Sequence, residues 1–232
     1  MLILAIDTAT SVCSLALYDG KTVLADFVLD NGLTHSEKMM PLLLDLLQAS
    51  GVNKEDLTGI AINIGPGSFT GLRIGLASAK TMAYALNIPI VGVCAHQALA
   101  YNVRIENIYL SPLIDAQKGN VYQAIYRWQA GFLQEVQAIT IKSCEEAVTT
   151  LVELGERCLI LGEWKSDQDD LLTDKVQLAA TNLLKSRATS VALASYSRFV
   201  SGDYDDAFTI QPYYLKKSEA EILWEKRCQN NI

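Results

Sequence analysis

Two halves of this 232-residue chain read in the same order of elements, and that duplication limits its folds more than any single motif. In the first half, positions 2–6, 12–18 and 23–29 are strand-like apolar runs. Asp19-Gly20 gives a two-residue hairpin signal between the second and third. A helix is predicted over 34–50 with Gly51 as its stop, then a strand at 59–64, a helix at 70–86, a strand at 88–94 and a short helix across 95–101. The second half repeats this with strands at 107–115, 120–128 and 132–139, a helix at 143–154, a strand at 158–161 and a helix at 190–200. Three antiparallel-compatible strands followed by alternating helix and strand predict an α/β fold, a mixed sheet with helices packed on it, made twice. The apolar pattern breaks at 102–106, which sets the expected lobes at 1–104 and 105–232. Segment 163–190 shows no clear period.

Between the strand at 59–64 and the next helix lies Gly65-Pro66-Gly67-Ser68-Phe69-Thr70-Gly71. Its glycines let backbone approach a neighbour closely, and Ser68 or Thr70 can cap the helix. Two readings stand: a phosphate cradle at a helix N-terminus, or a tight turn that packs the helix against the sheet. The candidate ligand loop is Asp7, Thr8, Gly65, Gly67 and Ser68.

Composition narrows the function classes. Nineteen basic against 26 acidic residues give a net charge of −7, too acidic for strong unaided nucleic-acid binding. The densest basic groups, Lys216-Lys217 and Lys226-Arg227, read as solvated helix faces. Five scattered cysteines and no N-terminal signal pattern fit a reduced, cytoplasmic protein without a membrane association. The chain has two histidines, His35 and His96, without the spacing of a metal pair, so capping or ordinary polar roles are expected. Ser68 lacks the nucleophile-elbow pattern, and the acidic run Asp167, Asp169, Asp170, Asp174 lacks the glycine and glutamate of a calcium loop. No catalytic set emerges and no metal site is expected.

Partner binding has positive support. Met39, Met40, Leu42, Leu43, Leu44, Leu46 and Leu47 cover roughly 200° of a helical wheel, against the stripe of about 100° that one core needs. In the following helix Leu72, Leu76, Ala79, Ala83 and Leu86 form one face, Arg73, Lys80 and Tyr84 a polar stripe, and small residues allow close helix approach. The candidate partner interface is Met39, Met40, Leu43, Leu44, Leu47, Ile74, Ser78 and Met82.

The duplicated βββαβα order is similar to the actin/Hsp70/sugar-kinase (ASKHA) superfamily, a two-lobed α/β fold with mixed sheets. Where its phosphate loop carries Asp-x-Gly, this chain has Asp7-Thr8-Ala9, whose β-carbon hinders a phosphate. More closely, Ile3–Ala9, Thr34-His35-Ser36, Gly65–Gly75, Pro89–Val93, Ile114-Asp115-Ala116 with Val121-Tyr122, and Pro212–Lys216 resemble the bacterial TsaB (YeaZ) family. Gln117 and Lys216 depart from arginines common there. The resemblance implies a non-catalytic subunit required for N6-threonylcarbamoylation of adenosine 37 in tRNAs reading codons that begin with A. Its implied partners are the catalytic TsaD paralogue in a heterodimer, a TsaE-like ATPase and, indirectly, tRNA. A homodimer would use the same surface when the paralogue is absent. No cofactor is firmly implied, although a nucleotide at the subunit boundary is consistent with the resemblance, as is a terminal helix packing back between the lobes. The paralogue's His-x-x-x-His metal motif is missing. An ATP-dependent small-molecule kinase of the same superfold and a glycoprotease-like peptidase are the competing readings.

Overall fold

The computed structural model describes residues 1–30 and 34–215. The basic pairs at 216–217 and 226–227, and the anticipated terminal helix, lie outside the described residues. The first sheet holds β1 (Ile3–Asp7), β2 (Cys13–Tyr18), β3 (Val23–Leu29), β4 (Gly59–Gly65) and β5 (Ile90–Cys94) in the order β3-β2-β1-β4-β5. The second holds β6 (Tyr109–Asp115), β7 (Asn120–Gln129), β8 (Phe132–Ser143), β9 (Cys158–Gly162) and β10 (Val176–Leu178) in the order β10-β9-β6-β7-β8. In each, the first three strands pair antiparallel and the last two join in parallel. The duplicated mixed sheet read from the sequence is therefore present. Strand β10 falls in the segment without a period.

The helices are α1 (His35–Ser50), α2 (Phe69–Leu86), α3 (Ala95–Ala100), α4 (Cys144–Glu153) and α5 (Ala188–Ser201). Local chemistry fixes their ends. The Thr34 backbone N–H donates to Glu37 Oε2 at 3.0 Å, and α1 stops at Gly51 with φ 66°. Ser68 Oγ accepts from the Gly71 N–H at 3.2 Å, and α2 stops at Asn87 in the left-handed region. The hairpin between β2 and β3 differs from expectation: its turn spans 19–22, not two residues. Asp19 Oδ1 captures the backbone N–H groups of Lys21 (2.8 Å) and Thr22 (2.7 Å), and a register shift at Leu17/Tyr18 accompanies the wider turn.

Strand β1 is buried along its whole length because the first sheet is covered on both faces. Large side chains, Leu4, Ile6, Leu15, Leu17, Ile60 and Ile62, pack under α1 and α2. The opposite face presents Ala5, Ala16 and Ala61, and α5 lies on it through Ala188, Val191 and Ala192. That helix comes from the second half of the sequence. The short α3, from the first half, lies between the sheets: Ala98 packs with Val91, Val93 and α5, while Ala95 and Leu99 share a core with Leu110, Tyr122 and Trp128 of the second. The packing units are thus not the two sequence halves. Alternating patterns identify which face of an element is apolar but carry no information on which sheet it meets. Residues 203–215 then return along the first lobe as a strap: Asp205 N donates to Ile90 O (2.9 Å) and Tyr213 N to Ile64 O (2.7 Å).

Candidate functional site

Three structural features bear on function: the loop after β1, the cleft between the lobes, and the outer face of α1 and α2. In the first, the candidate ligand residues do come together. Asp7 is buried and its carboxylate is fully engaged: Oδ1 accepts from Ala9 N (2.9 Å), and Oδ2 from Asn63 Nδ2 (3.0 Å) and Ser186 Oγ (2.6 Å). Burial pushes its pKa up, and the hydrogen bonds from Ser186 and Asn63 oppose the shift. Thr8 Oγ1 donates to Gly71 O at 2.8 Å, and Ser68 N donates to Ala9 O at 2.7 Å.

The glycines explain this closeness. A β-carbon on Gly67 would meet the Ala9 carbonyl, one on Gly71 the Thr8 carbonyl, and one on Gly75 the Thr8 hydroxyl. Spaced four apart, these three glycines bring the start of α2 flat against the loop that leaves β1. The helix α1 is fastened to the same loop, with His35 Nε2 bonded to Thr10 O (2.8 Å) and Lys38 Nζ donating to Ser11 O (3.2 Å). His35 is therefore a buried polar anchor and not a cap. The five candidate ligand residues form a closed latch, because their polar side chains are already satisfied within the chain. Of the two readings of the glycine loop, the tight helix-packing turn matches this geometry.

The cleft between the lobes has a volume of about 390 Å³. Ala9, Pro66 and Leu99 line one side, Ile114, Glu163 and Trp164 the other, and Leu184 and Lys185 close it. Glu163 Oε2 accepts from Asp115 N at 3.2 Å; the residue stays open to solvent, and partial desolvation followed by the Asp115 carboxylate raises its pKa. Sequence reasoning missed Glu163, Trp164 and Lys185, which fall in the segment without a period. The second histidine, His96, is buried at the lobe junction, with Nε2 3.0 Å from Tyr122 O; burial lowers its pKa to about 4. Among the described residues no group of three His, Cys, Asp or Glu side chains could hold a metal ion, and no helix is long and apolar enough to cross a membrane.

On the outer face the eight candidate partner residues divide. Met39 and Leu43 are only 2% and 5% exposed and pack in the core of the first lobe, which corrects their assignment to an interface. A helix on a sheet turns one stripe inward, and these two lie on it with Leu46. Met40 and Leu44 are 46% and 64% exposed on the opposite side. Leu47, Ile74, Ser78 and Met82 are half-buried around the junction of α1 and α2. The polar stripe of α2 holds the strap while staying largely exposed. Arg73 Nε donates to Tyr214 OH (3.0 Å), Lys80 Nζ to Phe208 O (3.0 Å) and Ile210 O (3.1 Å), and Tyr84 meets Phe208 edge-on. The strap itself starts at a fork in which Arg198 pairs with Asp203 (2.7 Å) and Asp205 (3.1 Å).

Comparison with known proteins gives this architecture a context. The family model described as TsaD, tRNA N6-adenosine threonylcarbamoyltransferase, matches residues 31–224. A protein of Escherichia coli strain K12 named tRNA threonylcarbamoyladenosine biosynthesis protein TsaB is 40% identical, over 97% of this chain and 98% of its own. One of the same name from Bacillus subtilis strain 168 is 32% identical, again over 97% and 98%. The chain belongs to the TsaB family. A solved structure, YeaZ from Pseudomonas aeruginosa, superposes with a TM-score of 0.80 at 25% identity, covering 92% of this chain and 99% of that one. The family resemblance read from the glycine loop and its companions is upheld, and with it a part in tRNA threonylcarbamoyladenosine biosynthesis. The TsaD description of the matching model relates this family to a threonylcarbamoyltransferase.

Proposed function

We propose that the chain is the non-catalytic scaffold or activator subunit for threonylcarbamoyl transfer to N6 of adenosine 37 in tRNA. It would act with a TsaD-like paralogue in a heterodimer and with a TsaE-like ATPase, in the cytoplasm, and meet tRNA indirectly. The supporting observation is the outer face of α1 and α2, where Met40 and Leu44 stand exposed beside the half-buried Leu47, Ile74, Ser78 and Met82. Methionine adapts to an opposing surface, and two such helices can complete a four-helix interface with an equivalent pair from a related subunit. A second copy of this chain would use the same face when the paralogue is absent. The closed latch around Asp7 argues against the kinase reading, since a nucleotide's phosphates would have to displace hydrogen bonds that hold the fold together.

Reconstituted tRNA threonylcarbamoylation with the cognate TsaD-like protein, with and without this chain, tests the proposal. Transfer should depend on the chain. Leu44→Glu should weaken association at least about tenfold, because an unpaired charge is buried in the contact, while changing the stability of the isolated chain by no more than about 0.5 kcal/mol. Leu43→Ala is the contrast: it should cost about 2–5 kcal/mol of stability through a core cavity. Full association by Leu44→Glu would remove the α1 face from the interface. Robust phosphoryl transfer by the isolated chain, abolished in Asp7→Ala, would favour the kinase.

A further inference from the structure

The cleft between the lobes presents groups that partner binding does not use. Its volume of about 390 Å³ lies in the range of roughly 300–1,000 Å³ typical of small-molecule sites. Leu99, Ile114 and Leu184 give it apolar walls, and two opposite charges, Glu163 and Lys185, stand on its lining. The Glu163 carboxylate already accepts the Asp115 N–H on Oε2, and Asp115 itself repels it. Lys185 Nζ pairs with Asp30 Oδ2 at 2.7 Å, which leaves two of its three N–H donors.

We propose that this cleft binds an α-amino acid or dipeptide with an apolar side chain, its ammonium group on Glu163, its carboxylate toward Lys185, and its side chain against Leu99, Ile114 and Leu184. Charge complementarity favours this occupant over a phosphorylated one. Among the described residues Lys185 is the only cationic one lining the cleft and it is already paired with Asp30, whereas the Glu163 carboxylate on the lining, with Asp115 next to it, repels a polyanion and attracts an ammonium. An ammonium at Glu163 also offsets the desolvation and the Asp115 repulsion that together raise that group's pKa. The start of α2 offers no substitute phosphate site, because Gly67 and Ser68 are packed on Ala9. The inference is independent of whether α1 and α2 meet a partner.

The test is calorimetric titration of the full chain with L-leucine and with leucyl-leucine, beside N-acetyl-leucine, isoamylamine and ATP. Leucine or the dipeptide should bind with a millimolar or tighter dissociation constant, and N-acetyl-leucine, which lacks the ammonium, should not. Isoamylamine, which lacks the carboxylate, should bind more weakly than leucine. E163Q should weaken binding by about tenfold or more, the effect of losing a charge-assisted contact, while its urea unfolding curve stays that of the parent. K185A, with Asp30 still solvent-accessible, should weaken leucine but leave isoamylamine unchanged. The proposal is overturned if neither leucine nor the dipeptide binds at about 10 mM, if E163Q binds as the parent does, or if ATP competes with leucine for the cleft.

Discussion

Replacing Gly71 with alanine sets two physical effects against each other. Alanine is the better helix former by about 1 kcal/mol, and Gly71 lies in the first turn of α2, so propensity alone predicts a more stable protein. Packing predicts the reverse. The new β-carbon meets the Thr8 carbonyl oxygen, and Thr8 follows directly on β1, which β2 and β4 hold from both sides. Backbone there cannot give, so α2 must back away. Overpacking of this kind costs about 1–3 kcal/mol. The retreat also stretches the Thr8 Oγ1–Gly71 O hydrogen bond, worth about 1 kcal/mol. The net expectation is a loss of about 2 kcal/mol, or roughly 4–8 °C in Tm for a chain of this size. Gly75→Ala is a sharper companion, because its β-carbon meets the Thr8 hydroxyl first, with Ile62 Cδ1 and Thr8 Cβ farther off at 3.3 and 3.4 Å. That variant should lose about 1 kcal/mol, and Thr8→Ala should relieve the clash, giving a favourable coupling of about 1 kcal/mol in a double-mutant cycle. Urea unfolding followed by circular dichroism reads the parent and the four variants, the Thr8/Gly75 double change included. A Gly71→Ala chain as stable as the parent, or additive Thr8 and Gly75 changes, would refute the close-packing account of the glycine row.

Two further outcomes follow from the lobe junction and the strap. His96 has a folded pKa lowered to about 4 by burial, below the ordinary histidine value, so the unfolded chain takes up a proton first as pH falls. Its contribution is therefore complete above about pH 6.5 and is lost toward pH 4, on the order of 3 kcal/mol; a His96→Gln variant should show a flatter stability profile across that window in urea titrations. At the strap, Arg198→Ala removes the fork to Asp203 and Asp205 and the bond to Gly92 O, so hydrogen exchange should rise across 203–215 while the sheets stay protected. Unchanged protection there would mean that the backbone bonds to Ile64 and Ile90, with the contacts of Arg73 and Lys80, hold the strap without the fork.

What could be read from the sequence follows from the range of the interactions concerned. The ends of α1 were legible because Thr34, Glu37 and Gly51 act within one turn of the residues they cap. Both antiparallel triplets were legible from apolar runs bounded by turns, although Asp19 captured two amides and widened a turn expected to hold two residues. The glycine loop was legible as a place of close approach, but whether it approached a ligand or Ala9 depends on a contact made across the fold. The wheel of α1 showed too many apolar residues without telling inner from outer, so Met39 and Leu43 were grouped with Met40 and Leu44. The strap was illegible for a related reason: its backbone bonds run to Ile64 and Ile90, and side chains of α2 taken for a solvent-facing stripe hold it. Cleft residues Glu163 and Lys185 sit among short 3-10 turns and a three-residue strand, which are too brief to carry a period.

The placement of α5 on the first sheet has a consequence for synthesis. When the first half leaves the ribosome, the alanine face of its sheet lacks its main cover, because α5 is encoded about a hundred residues later. At roughly 5–20 residues per second, Ala5, Ala16 and Ala61 wait on the order of 5–20 s for Ala188, Val191 and Ala192 to arrive. The core of the first lobe is thus completed only once α5 has been made.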